Sequence, residues 1–277
     1  MNRRSFLVTL TGAVLSQGFS VAQSGGQRLG KIGLELYTVR RELEKDFEGT
    51  LVKLPAIGYE ELEFAGYFGH APREVKAILD GQGLAAPSAH ISFASLREGW
   101  QAVLDSAHLI GHRFLVCASV PPEARRTLDD WKRAGELFDR AGEASRRAGI
   151  QFAYHNHDFE FAQVNGQLPY DILLAKTDSA LVQLEMDLYW ITKGGQDPLK
   201  YFALYPGRFP LVHVKDMDST PRHFFTEVGR GTIDFKRIFA QAAAAGVKHY
   251  FVEQDECPGS PFDSIKISFD YLKALQF

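Results

Sequence analysis

From residue 29 onward, short runs in which apolar and polar residues alternate take turns with longer stretches in which apolar residues recur every three or four positions. These are the periods of strands and of amphipathic helices. Alternation predicts strands over 32–37, 59–64, 84–91, 113–117, 150–157, 181–187, 209–215 and 248–253. The longer period predicts helices over 42–57, 72–80, 99–110, 128–148, 169–176, 198–205, 235–245 and 262–275, with Gly58, Gly111, Gly149 and Gly246 standing just past four of them as stop signals. Eight strand-helix units in about 250 residues are the count and length of a (β/α)8 barrel, one domain over 29–277. A doubly wound sheet is the alternative, but no Gly-rich dinucleotide turn opens the chain.

Within the strands, alternation also sorts the faces. Over 181–187, Val182, Leu184 and Met186 face covering helices, while Gln183, Glu185 and Asp187 face the barrel axis. His213 and Lys215 point inward while Val212 and Val214 point outward, Glu35 points inward between Leu34 and Leu36, and Glu63 between Leu62 and Phe64. His90 and Glu253 complete the set. Charged and imidazole groups therefore gather at the carboxyl ends of the strands, the face on which such barrels do their chemistry.

Composition changes this picture little. The 277 residues are 45% hydrophobic and 23% charged, with a net charge of −3 and no basic tract. That balance provides no electrostatic footprint for nucleic acid or an anionic membrane, and a small polar ligand is the expected partner. Two cysteines, Cys117 and Cys257, make no disulfide framework, and free thiols are expected. The first residues form a separate object. Arg3-Arg4 precedes an apolar run over 7–15, and Ser20-Val21-Ala22 offers small residues at the two positions a signal peptidase reads. The pattern predicts a Tat export signal over 1–22 cleaved after Ala22, a flexible mature start over 23–28, and a periplasmic or otherwise exported product. The apolar run is too short for a stable membrane span. The Tat export machinery is then a transient partner, and a homo-oligomer remains open.

A ring of buried carboxylates and imidazoles is costly unless its charges are paired, and a divalent cation pairs them. Asp187, His213 and Glu253, from three successive strands, are the expected ligands. Their mixed oxygen and nitrogen donors suit Mn, Zn, Co or Fe better than Ca or Mg.

Several motifs then come together. Tyr154-His155-Asn156-His157-Asp158-Phe159-Glu160-Phe161, Leu184-Glu185-Met186-Asp187, His213-Val214-Lys215-Asp216, the stretch from Glu227 to Asp234, and Val252-Glu253 resemble the sugar phosphate isomerase/epimerase family, the xylose isomerase-like TIM barrels. The resemblance runs from Leu34 to Leu275 and implies a metal-dependent barrel in which Asp187, His213 and Glu253 match three of four metal ligands. It implies, for ketose epimerases of this family, a glutamate on strand five that is both ligand and acid/base, and the matching position is Ala153. A methyl coordinates nothing, so His155, on the same face, is the expected fourth ligand, with His157 as second candidate.

What remains is one strong carboxylate acid/base, Glu253, with Lys215, His157 and His90 as further proton carriers. The expected reaction is isomerisation or epimerisation of a sugar or keto-sugar through an ene-diolate that the cation stabilises. Expulsion of a β-substituent, as a lyase or hydratase acting on keto-glycosides or inosose-like substrates, is the close alternative. A sugar-binding barrel without catalysis and a phosphodiesterase of the endonuclease IV type are more distant. Trp190 and Arg222 are candidate substrate contacts, Glu35 and Glu63 are either substrate contacts or carboxylates standing behind the ligands, and Tyr37 and Phe93 are further stacking surfaces. Asp216 is expected to orient a neighbour, and Glu185 to pair with Lys215.

Overall fold

The structure, a computed structural model, describes residues 26–277; the predicted export signal and its cleavage site lie outside the described residues. In chain order come β1 (Gly33–Glu35), α1 (Arg40–Lys45), α2 (Phe47–Ile57), β2 (Glu61–Phe64), α3 (Pro72–Gln82), β3 (Ala85–Ile91), α4 (Trp100–Ile110) and β4 (Phe114–Cys117). They are followed by α5 (Leu128–Arg147), β5 (Gln151–His155), α6 (Pro169–Lys176), β6 (Val182–Asp187), α7 (Leu188–Lys193), α8 (Pro198–Leu204) and β7 (Leu211–Val214). A small ribbon, β8 (Asp216–Met217) with β9 (Phe225–Thr226), precedes α9 (Phe235–Phe239), α10 (Ala242–Ala245), β10 (His249–Val252) and α11 (Pro261–Ala274).

Eight of these strands close a parallel barrel in the order β1-β10-β7-β6-β5-β4-β3-β2, which excludes the doubly wound sheet. Every predicted strand is present, each shorter than predicted. The expected helix over 42–57 is two helices, because Asp46 leaves the helical region at φ −152° and caps α2 by accepting the Gly49 N–H at 3.0 Å. The expected helix over 235–245 is likewise split between α9 and α10. α7 and the β8/β9 ribbon were not foreseen. α5 starts with a reciprocal Thr127–Asp130 capping box and buries Trp131, Leu137 and Phe138. Gly142 lets this helix approach the start of β6, where a Cβ would come within 2.6 Å of the Leu181 carbonyl oxygen.

Alternation gives the barrel interior its layers. Its floor is apolar, built from Phe114, Val116, Ala153, Leu211 and Phe251. Ala153 thus lies below the polar level, and His155, one layer higher, stands where strand five meets the site. In the described part of 23–28, Gln27 exchanges two backbone hydrogen bonds with Phe277, at 2.8 and 3.0 Å. No described helix is long and apolar enough to cross a membrane.

Candidate active site

The motif that closes β5 assembles much of the site by itself. The side chain of Asn156 accepts the Asp187 N–H at 3.1 Å and donates to the Asp187 carbonyl at 3.4 Å, so it fastens the end of β5 to the end of β6. The His157 N–H donates to Glu160 at 2.8 Å, and the Tyr154 hydroxyl donates to the other oxygen of the same carboxyl. Burial pushes that carboxyl up to about 8. The His157 ring stacks on Phe159 at 5.1 Å and faces Trp190 at 5.6 Å. Arg125 lies over Phe159 at 3.2 Å.

His155, Asp187, His213 and Glu253 each offer a ligand atom, and these atoms lie within 4.8 Å of one another. All four residues are buried. Asp187 divides its carboxylate: Oδ1 accepts the Trp190 N–H at 2.8 Å and caps α7, leaving Oδ2 for the barrel. That Oδ2 and both ring nitrogens of His155 are buried without a hydrogen-bond partner, although the Lys215 ammonium stands 3.1 Å from Oδ2. Orphaned buried acceptors are expensive. A divalent cation would satisfy Asp187 Oδ2 and the unprotonated nitrogen of His155, and the donor set fits one. A second group, Glu35, Glu63, His90 and His213, also gathers within 4.8 Å.

His213 joins the two groups. Its Nδ1 is 2.9 Å from Glu253 and its Nε2 donates to Glu63 at 2.6 Å. Burial works against charge on this ring, but the Glu185, Glu253 and Glu63 carboxylates hold its pKa well above the ordinary histidine value. Lys215 is hemmed by Glu253 at 2.6 Å, Asp255 at 2.8 Å and Asp187 at 3.1 Å. Desolvation would discharge the amine, and Asp187, Glu253 and Asp255 overcome it, keeping the ammonium protonated. Burial alone would likewise raise Glu253; Lys215 and His213 instead hold it well below the usual carboxylate range. The strand-five imidazoles go the other way. Burial takes His155 down to about 4, and burial with the neighbouring His155 and Lys215 takes His157 down to about 2, so both are neutral.

Two expectations change one layer below. Glu185 does not pair with Lys215; it takes His90 at 2.6 Å and lies 3.3 Å from His213, because β6 presents it a full layer under Asp187. Burial and the charge on Glu63 push it up to about 7. Glu63 is not a substrate contact either: it lies fully buried beneath His213, accepting from Ser88 and His213.

Above the four-residue group opens a cavity of about 530 Å³, lined by His90, His155, His157, Trp190, Lys215 and Glu253, with Glu35 at its floor. Burial and the Glu63 charge raise the Glu35 carboxyl well above its ordinary value, and its Oε2 is unpartnered. Arg222 lies elsewhere, exposed, with its guanidinium 5.1 Å over Phe224. Phe93 is core, edge-on to Phe138 at 6.1 Å. Asp216 orients a neighbouring loop, as expected, by accepting N–H groups from Met217, Gly229, Gly231 and Ile233. The cavity also contains Asp255, Ser92 and Ser119, which sequence reasoning missed. Asp255 is two residues past Glu253, but β10 ends at Val252 and alternation carries no authority beyond it.

Comparison with known proteins agrees with this architecture. The family described as xylose isomerase-like TIM barrel matches residues 52–275. An inosose dehydratase of Lacticaseibacillus casei is 26% identical over 270 residues, spanning 83% of this chain and 90% of that protein. A crystal structure of a sugar phosphate isomerase/epimerase from Parabacteroides distasonis shares 30% identity, covers 94% of this chain and 97% of its own, and superposes with a TM-score of 0.77. A structure of IOLI protein with a bound zinc atom shares the fold at 13% identity and a TM-score of 0.67, covering 87% of this chain and 95% of its own. With the closed barrel and its buried polar ring, the match places this chain in the xylose isomerase-like TIM barrel family, and like its named relatives it is an enzyme.

Proposed function

We propose that the chain is a metal-dependent lyase that removes water or another β-substituent from a polyhydroxylated ring ketone of the keto-sugar or keto-cyclitol type. His155, Asp187, His213 and Glu253 would hold the ion, with zinc, manganese, cobalt or iron as candidates. When bound, such an ion supplies Lewis-acid polarisation of the ketone oxygen. The observation that carries the reading is an asymmetry within the ligand group: Glu253 is the carboxylate on one side of it, and strand five supplies imidazoles, His155 and His157, on the other side in place of a second carboxylate. Epimerisation has to remove a proton on one face and return it on the other, which calls for two such groups. Elimination calls for one base and an acid beside the departing group.

In this reading Glu253 takes the proton from the carbon next to the ketone. Lys215 keeps that carboxylate ionised and aimed. The neutral His157, its Nδ1 unpartnered in the wall of the cavity, binds a ring hydroxyl. The Glu35 carboxyl, whose burial favours its protonated form, or the Lys215 ammonium gives a proton to the leaving hydroxide, which departs as water. The similarity to inosose dehydratase supports this order of preference. Isomerisation or epimerisation is the second reading, favoured by the 30% identical relative.

The test is incubation of cation-loaded protein with ring ketones in heavy water. Loss of water with formation of a conjugated enone or its diketone supports the lyase. Deuterium entering the recovered substrate without elimination supports the second reading, and no change in any ketone contradicts both. We further propose that the protein is exported by the Tat route, on its twin arginine; recovery of a mature protein beginning at Gln23 from the periplasm would support this, and an intact Met1 in the cytoplasm would contradict it.

A further inference from the structure

The mouth of the cavity carries a charge pattern that bears on which ketones can enter. Lys215 is the lysine or arginine of its lining, and Arg40 and Lys193 beside it are committed as well. Lys215 is surrounded by Asp187, Glu253 and Asp255. Arg40 donates to the carbonyl oxygens of Tyr37 at 2.7 Å and Asp255 at 2.9 Å and lies 4.0 Å over the Tyr37 ring. Lys193 donates to the Tyr189 hydroxyl at 3.0 Å and sits 5.0 Å over Trp190. What lines the opening is neutral or acidic: the rings of Tyr37 and Trp190, the hydroxyls of Ser92 and Ser119, and the partly exposed Asp255 carboxylate, whose Oδ1 is buried against Lys215.

The position of Asp255 matters. Barrels of this architecture that hold phosphate do so with the loops after their seventh and eighth strands, using backbone N–H groups and a helix N-terminus. In this chain the eighth barrel strand runs out into Glu253-Gln254-Asp255-Glu256. The seventh runs into Asp216, whose carboxylate already collects the N–H groups of Met217, Gly229, Gly231 and Ile233. A phosphoryl group carried there would face a carboxylate where it needs a donor.

We infer that the substrate is an uncharged polyhydroxylated ketone and that Asp255 is a specificity-determining residue that rejects phosphorylated ones. This rests on the proposed keto-sugar reading and narrows it, against the sugar phosphate chemistry by which one relative is described. The two flanking aromatic rings suit an uncharged sugar, whose C–H faces stack on them.

The experiment uses mature protein loaded with Mn or Zn and matched pairs of polyhydroxylated ring ketones, keto-cyclitols and ring keto-sugars, with and without a phosphate. Deuterium exchange, substrate loss and product formation are followed in heavy water. The expected result is reaction of neutral members, with phosphorylated partners at least about tenfold poorer in kcat/KM, the difference arising in KM. In Asp255→Asn the penalty shrinks, while KM for neutral members changes less. In Ser119→Lys, a cation at the rim, it shrinks again. Phosphorylated members reacting as well as or better than neutral ones would overturn the inference and leave the lyase or isomerase reading standing. An undiminished penalty in Asp255→Asn would overturn the role of that residue. No reaction of either member with the ion bound would remove the keto-sugar reading, and this inference with it.

Discussion

A single side chain, His213, shows how much of the site is decided by second partners. Glu63 holds Nε2–H at 2.6 Å, which leaves Nδ1 as the nitrogen facing Glu253 and Asp187. A carboxylate behind a ligating imidazole fixes its tautomer and raises its basicity. Glu63→Ala should therefore weaken divalent-ion affinity by about 10- to 100-fold, measured by chelator competition, with Glu63→Gln recovering part of the loss because its amide oxygen still accepts. An unchanged affinity would show that Glu63 merely fills space. His155→Ala should weaken ion binding more than His157→Ala, since His155 belongs to the four-residue group and His157 lines the mouth. The opposite order would exchange their roles.

At the scale of elements, the loop between β7 and α9 hangs on one carboxylate. Asp216 accepts four backbone N–H groups, and a Cβ on Gly231 would collide with it. Asp216→Ala should loosen residues 217–233, seen as faster amide exchange confined to that loop, at a cost of about 1–3 kcal/mol for the unsatisfied donors. Uniform exchange across the barrel would contradict this. The barrel itself was legible in the chain because a period of two and a period near four are local signals, and every predicted strand is found. The inward-facing residues were legible for the same reason. Alternation tells which way a side chain points but not its height in a sheared barrel; hence Glu185 pairs with His90, Glu63 lies under His213, and Ala153 belongs to the floor. α7 was hidden because its cap, Asp187, reads equally well as the end of a strand, and Arg222 because a loop has no period to read.

For the whole molecule, stability should carry the mark of its buried acids. The Glu160 carboxyl has its pKa raised from 4.5 to about 8 by burial. Its folded form binds a proton that the unfolded chain has lost, so this contribution is fully present below about pH 4.5 and is lost as pH rises through about 8, at about 1.4 kcal/mol per pH unit of that window. Glu160→Gln, which stays neutral, should gain on the wild type in Tm between pH 6 and 9; parallel curves would contradict the assignment. Loading with Mn or Zn should raise Tm, by an amount equivalent to about 2.7 kcal/mol at a hundred times Kd, and a chelator should reverse it.

The most direct test of the centre is the metal content of purified protein after loading, for wild type beside Asp187→Ala and Glu253→Ala. The account predicts one tightly held divalent ion per wild-type chain, and two folded variants that lose it. A wild type that stays free of metal, or variants that keep the ion as tightly as wild type, would contradict it.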